Sequence, residues 1–396
     1  MIGGQVDFFV KKTAVILAVI FCMILFSSCI VLEFPLNPAG EAESISSKQS
    51  TAASAPYTVD MQEKNTIKSR HYYNILNAEE QKAYHNMLTA VQKHEKQAFL
   101  PMLVETQISK VFQALCYDNP LLFCLENQFG WGKSGNRTFI EFHYTDTAQE
   151  CNEKTEKMER ILDEAMRQIH NGMDDFQKEL ALHDWLAKRC EYSELGSVSY
   201  TAYGALVNGK AVCEGYSKAM LLLLNRAGIS GFLMTGQAVT NGVAGGHMWN
   251  IVAINGENYH LDVTWNVPKG AERIIQHAYF NLTDEQIAED HSDFDTKQSD
   301  CTSLKENYYS RMGTLFDSYD ELLEKLPNAV SDILSAGGNI FEFRLNSRES
   351  YDEAVTKLFE YGTIYDVLEN VSGGLNISSI SHMSTQTQCA VLCKLG

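Results

Sequence analysis

The sequence predicts an α+β protein: a buried helix packed on an antiparallel sheet, with small α/β units before and after. Three observations predict it. Residues 213–227 read as one helix, apolar all round at Met220-Leu221-Leu222-Leu223-Leu224, so it belongs inside a domain. Residues 247–254 and 257–265 read as two strands joined at Asn255-Gly256, a strong two-residue hairpin signal. Helix and strand patterns recur on both sides of this block, over 71–147 and over 328–396.

The chain has 396 residues, 45% hydrophobic and 21% charged, enough to bury a good core and form two or three units. This composition excludes a wholly disordered or multi-span protein. The net charge of −18 repels phosphate backbones, so no nucleic-acid partner is expected. Oligomeric state is not legible.

At the start, over 1–32, Lys11 and Lys12 precede an apolar run at 13–26, followed by Ser27-Ser28-Cys29. These are the basic and apolar regions of an export signal. The ending resembles a bacterial lipobox, which would make Cys29 the lipidated residue, although Phe26 stands where Leu is usual. Alternatively, residues 13–32 are long enough to remain as a membrane anchor, with the lysines inside. Both readings place the protein on the outer side of a cell membrane. Residues 33–70 read as a flexible tether, rich in Ser, Ala, Thr, Glu and Gln. Such a segment holds a domain about 30 Å from its anchor on average.

Residues 71–147 read as an accessory α/β domain without a catalytic constellation. Helices are expected over 72–94 and 108–116, the second stopped by Asp118-Asn119-Pro120. Strands are expected over 121–128 and 138–144, joined by a turn at Gly130-Trp131-Gly132-Lys133-Ser134-Gly135.

Residues 148–327 form the central domain. Amphipathic helices are expected over 153–169 and 175–190, where the lone His183 reads as structural. After the helix at 213–227, closed by Gly228, come a strand at 232–237, a Gly-rich loop at 238–246 and the hairpin. A polar stretch containing Tyr279-Phe280-Asn281-Leu282-Thr283 leads to a helix at 317–326. The unit at 328–396 has strands at 339–345 and 390–395 and helices at 350–358 and 364–371. Of the ten cysteines, Cys22 and Cys29 lie in the leader; the rest are irregularly spaced, with no metal-type Cys-x-x-Cys pair. Export would allow some of them to pair, but spacing does not say which.

Chemistry points to Cys213, His247 and Asp262. Cys213 opens its helix, where unpaired N–H groups and the helix dipole favour a thiolate. A two-residue turn at Asn255-Gly256 sets Trp249 opposite Asp262 and His247 opposite Thr264, on one sheet face. Asp262 is then the diagonal neighbour of His247, about 7 Å away between backbones and closer between side chains. A thiol, an imidazole and a carboxylate so placed make a nucleophile, its base and the base's orienter. His260 shares the face but lies further along and reads as a supporting or surface residue. Glu214 reads as solvated or helix-capping.

These residues carry a resemblance. Tyr203-Gly204-Ala205-Leu206-Val207-Asn208-Gly209-Lys210-Ala211-Val212-Cys213-Glu214-Gly215-Tyr216, with Gly246-His247-Met248-Trp249-Asn250 and Tyr259-His260-Leu261-Asp262-Val263-Thr264-Trp265, resembles the transglutaminase-like core. It is similar especially to bacterial exported members and to kyphoscoliosis-type peptidases. The resemblance implies a papain-like fold over about 153–266, with Cys213 as nucleophile, His247 as base and Asp262 as orienter. It implies a transglutaminase-like cysteine enzyme acting on amide bonds through a thioacyl intermediate, by hydrolysis or by transfer to an amine. No calcium-site motif of the animal enzymes is matched, and no cofactor or metal is expected. Tyr200 or Tyr203 would supply an oxyanion donor beside the Cys213 N–H. An exterior location suggests peptide, protein or cell-wall peptide substrates. The competing reading is a catalytically silent surface binding or scaffolding module on the same fold.

Overall fold

The structure is a computed structural model describing residues 31–33, 70–240, 242–267, 274–371 and 379–396. Nearly all of the leader, Cys29 included, and nearly all of the tether lie outside the described residues. Among the described residues, no helix is long and apolar enough to cross a membrane. The fold is α+β, as expected, and divides into two compact units, residues 1–162 and 163–396.

In the first unit, β1 (Val31–Glu33) pairs parallel with β3, and the sheet order is β1-β3-β4-β2. Helices α1 (Ala78–Gln92) and α2 (Glu105–Asp118) join β2 (Gln97–Leu100), β3 (Leu125–Ser134) and β4 (Arg137–Tyr144) around Tyr84, Met87, Val111, Phe112, Phe129 and Ile140. The helix expected over 72–94 is interrupted. Asn77 accepts from the Glu79 and Glu80 amides, while Glu80 reaches back to the Asn77 amide, so α1 begins afresh there. The segment 130–134 is strand rather than turn. A Cβ on Gly132 would lie 2.6 Å from the Phe139 ring, so that glycine makes room for its cross-strand neighbour. The chain reverses one step later, at Gly135 with φ of 58°, and Ser134 faces Arg137. Helix α3 (Ala148–Met166) follows, and its Cys151 is bridged to Cys124.

The second unit opens with α4 (Asp175–Arg189), capped by Asp174, and a small pair of β5 (Glu191–Tyr192) and β6 (Lys210–Ala211). Helix α5 (Cys213–Ala227) has the expected bounds and ends at Gly228 in the left-handed region. Its flank is buried from Ala219 to Leu224, against a five-stranded sheet of order β10-β9-β8-β7-β11. These strands are β7 (Ser230–Thr240), β8 (Val243–Ile254), β9 (Glu257–Leu261), β10 (Phe280–Leu282) and β11 (His291–Ser292). The β8–β9 register is the expected one, with Ile254 opposite Glu257 and Asn250 opposite Leu261. The expected loop at 238–246 is instead mostly strand. Pairing of β7 with β8 continues to Thr240 and Val243, so backbone groups next to the glycines are satisfied by the ladder.

The remainder of this unit is a sheet of order β12-β13-β15-β14 covered by helices. Strands β12 (Leu315–Phe316), β13 (Ile340–Leu345), β14 (Ile380–Thr385) and β15 (Ala390–Leu395) pack with α6 (Tyr319–Ser335), α7 (Arg348–Val355) and α8 (Thr363–Val371) around Phe316, Leu322, Leu326, Phe343 and Leu358. Helix α6 passes through Pro327, where the sequence reading stopped it. Its buried face continues from Leu326 to Val330, and this packing outweighs one lost backbone hydrogen bond.

Candidate active site

The start of α5 is fixed by its surroundings. The Val212 amide donates to the Ser199 carbonyl at 3.0 Å, and Val212 enters the helix in extended conformation. Gly215 lies under the 199–201 segment, where a Cβ would collide with the Ser199 carbonyl. Ser217 Oγ is 2.8 Å from both the Cys213 and the Met248 carbonyl oxygens, and Asn250 Nδ2 donates to the Ser217 carbonyl at 3.0 Å. These bonds tie the first turns of α5 to β8 beside His247.

His247 Nε2 lies 2.6 Å from Asp262 Oδ2. The Cys213 thiol is the other side-chain partner of this imidazole. The three predicted residues therefore come together, and all are buried or nearly so. The route to that arrangement differs from the expectation. Strand β9 ends at Leu261, so the expected pairs Trp249–Asp262 and His247–Thr264 do not form. Asp262 Oδ1 accepts from the Thr264 and Trp265 amides at 2.9 and 3.2 Å and caps a short helix, Val263–Asn266. The carboxylate captures its own downstream amides and bends the chain out of the sheet.

Burial alone would lower the His247 pKa. The charge and hydrogen bond of Asp262 outweigh this, Cys213 adds to them, and the value rises to about 10. Burial would raise Asp262, but the same His247 interactions, with those of His291, hold its carboxyl well below the usual range. The pair is therefore imidazolium and carboxylate at neutral pH. Trp249 and Trp265 flank the imidazole at ring-centroid distances of 5.9 and 5.8 Å.

Other predicted residues fall as follows. Tyr200 gives its hydroxyl to Glu194 at 2.7 Å. Tyr203 is buried just before the turn Gly204–Asn208. Glu214 pairs with Lys218 at 2.6 Å, one helical turn on. His183 is buried between Asp184 at 2.9 Å and Asn266 at 3.1 Å. His260 is fully buried, which removes the surface reading. Its Nδ1 accepts from Trp249 Nε1 at 2.8 Å and its Nε2 faces Asp284 at 2.7 Å, so it fixes a wall of the site.

Sequence reasoning missed His291, whose Nε2 is 3.3 Å from Asp262 Oδ2 and whose Nδ1 is 2.7 Å from Asp290 Oδ1. Burial would lower its pKa; the hydrogen bonds to Asp262 and Asp290 raise it instead. Its strand has only two residues, too short for any periodicity to announce it. Among the described residues, four clusters bring possible metal-ligand atoms within 4.8 Å of one another: His247, Asp262 and His291; His183, Asp184 and His277; His260, Asp284 and Cys301; and Cys124, Asp146 and Cys151, whose two sulfurs are bridged. In the first, three of the four ring nitrogens face a carboxylate oxygen, so it reads as a proton network.

Residues 163–263 match the model of the transglutaminase-like superfamily. No curated protein matches the chain. Similar solved structures include one described as a TGase, at 10% identity and TM-score 0.27, covering 45% of this chain and 53% of that one. A Cytophaga hutchinsonii protein described as a "putative cysteine protease" is 14% identical with TM-score 0.24, covering 35% and 61%. A "putative protease" from Parabacteroides distasonis is 8% identical with TM-score 0.21, covering 35% of each chain. This chain spans less than two thirds of each of those proteins. The stretch that matches the transglutaminase-like superfamily, residues 163–263, includes Cys213, His247 and Asp262.

Proposed function

We propose that this protein is an envelope-anchored cysteine enzyme that acts on amide bonds of peptides or proteins, cell-wall peptides included. The observation that carries the reading is the His247 imidazole set between a buried carboxylate and a thiol that opens a helix. The Cys213 sulfur attacks the amide carbonyl carbon and the carbonyl electrons move onto oxygen. The Cys213 N–H, one of the helix-start amides without an intrahelical acceptor, faces that charge. His247 passes its proton to the leaving amine as the C–N bond breaks, giving a thioester. Water or a second amine then attacks, His247 takes its proton, and the thiolate leaves. Asp262 holds the ring throughout. An exported location is supported by the Cys124–Cys151 bridge, since disulfides persist in oxidising compartments. The N-terminal segment would hold the protein to the membrane by a lipid on Cys29 or as an anchor.

The test is iodoacetamide labelling of the soluble part at neutral pH, followed by a screen of peptides and muropeptides with and without added amine. Selective labelling of Cys213, lost in His247→Ala, is expected. Cys213→Ala should cut turnover by about 10⁴-fold or more. Turnover that survives this change would sink the mechanism. The second reading, a silent binding module, rests on the 3% exposure of Cys213. Labelling no faster than a free thiol would favour it.

A further inference from the structure

Asp262 serves two imidazoles, and only one of them faces the thiol. His291 is the other. A carboxylate only accepts hydrogen bonds. An imidazole lying between two carboxylates, Asp262 and Asp290, therefore donates from both nitrogens and carries a positive charge. Asp290 is itself held in place. Its Oδ2 accepts from the Tyr279 hydroxyl at 2.5 Å and from the Thr387 hydroxyl at 2.6 Å. Arg344 of β13 adds a positive charge toward Asp290. The rings of Trp265, Trp249 and Tyr279 enclose His291 at 4.6, 5.0 and 5.9 Å, and His247 stands 5.3 Å away. The titratable groups facing His291 are thus Asp290 just before its own strand, Asp262 beyond the end of β9, His260 on β9, His247 on β8 and Tyr279 before β10.

Two effects on the catalytic pair follow. The second donor to Oδ2 restricts rotation of the Asp262 carboxylate and keeps that oxygen aimed at His247 Nε2. The buried cation also opposes a second positive charge on His247, because like charges at this range disfavour each other. On the reading of Cys213, His247 and Asp262 as a triad, we propose that His291 is a positioning residue of that triad: a buried cation that fixes the Asp262 carboxylate and lowers the pH at which His247 gives up its proton. A purely structural His291 would hold β11 to β7 and leave that pH unmoved.

The experiment follows the rate of Cys213 alkylation by iodoacetamide against pH, alongside thermal unfolding, in the wild type and three variants. In the wild type the rate is expected to rise in two steps. The first comes as the thiolate forms beside the imidazolium, the second as the imidazolium loses its proton. His291→Gln keeps an N–H toward Asp262 and removes the charge, and its second step should move up by about one pH unit. His291→Phe removes both, and should also lower the rate between the steps by about tenfold, within the range for loss of an orienting contact. Asp290→Asn lets His291 become neutral without touching Asp262, and should move the second step in the same direction by less.

If the second steps of folded His291→Gln and Asp290→Asn coincide with the wild type, the proposal is overturned. Should His291→Gln fail to fold, Asp290→Asn decides alone. A wild type with a single free-thiol step would overturn the triad reading, and His291's role with it. A two-step wild type with unmoved variants would overturn His291's role only.

Discussion

Asp262 and Asp184 are each shared by two imidazoles, and they differ in what lies beyond. At Asp184, Oδ1 faces His183 Nδ1 at 2.9 Å and His277 Nε2 at 3.0 Å. At Asp262, Oδ2 faces His247 and His291. In each case one imidazole bridges to a second carboxylate: His291 to Asp290, and His277 to Glu342 at 2.7 Å. The remaining imidazole makes the difference. The far nitrogen of His183 meets the Asn266 amide, while the other side-chain partner of His247 is the Cys213 thiol. The Asn266 carbonyl oxygen accepts from the Tyr279 amide at 2.9 Å, which leaves its NH₂ to donate to His183 Nε2. His183 is therefore neutral, with its proton on Nδ1 toward Asp184, and burial lowers its pKa. A metal ion at that nitrogen would have to displace a proton the network fixes. The lesson is that an imidazole on a buried carboxylate marks a site only through what its other nitrogen touches.

The comparison breaks most sharply by neutralising each carboxylate in turn. Asp262→Asn is expected to slow Cys213 alkylation and turnover by about 10³–10⁴-fold, the scale of losing an orienting carboxylate. Asp184→Asn should leave the rate per folded molecule unchanged and cost about 2–4 kcal/mol of stability, as one side of a buried ionic network is lost. Urea unfolding and active-site titration on both variants would check this; a kinetic loss at Asp184 equal to that at Asp262 would end the distinction.

A smaller effect is one of pH. Burial would lower the His277 pKa, but the Glu342 charge and the Asp184 and Glu342 hydrogen bonds raise it to about 9. An unfolded histidine titrates near ~6.5. The raised value gives stability that is complete below about pH 6.5 and is lost as pH rises through 9. The unfolding midpoint should fall between pH 7 and pH 10, and Glu342→Gln should flatten that fall. An identical slope in both proteins would contradict the assignment. The smallest effect belongs to Glu214, next to the nucleophile but paired with Lys218. Glu214→Ala should cost about 0.5 kcal/mol and leave alkylation unaltered. A large kinetic change would return this carboxylate to the site.

Much of the site was legible because its parts announce themselves locally. The Asn255-Gly256 turn set the β8–β9 register, and the register put His247 near Asp262. The all-apolar run placed α5 inside. What stayed hidden depends on contacts distant in sequence. His291 reaches the site only because β11 adds to the far side of β7, and Thr387 only because its loop returns to Asp290. The glycines at 130 and 132 looked like a turn because sequence does not show the Phe139 ring beside Gly132. The hairpin was extended too far because alternation alone does not reveal that Asp262 will take the amides of Thr264 and Trp265.

The reach of Thr387 to Asp290 also bears on how the molecule comes into being. In the order a ribosome makes the chain, the network is supplied by residues 213, 247, 262, 291 and then 387. The nucleophile is synthesised well before the last hydroxyl that steadies the acid behind it. If the protein is exported in the order it is made, its thiol crosses the membrane ahead of the strands that complete its surroundings. It would travel as an ordinary cysteine, and the enzyme would come into being only on the far side.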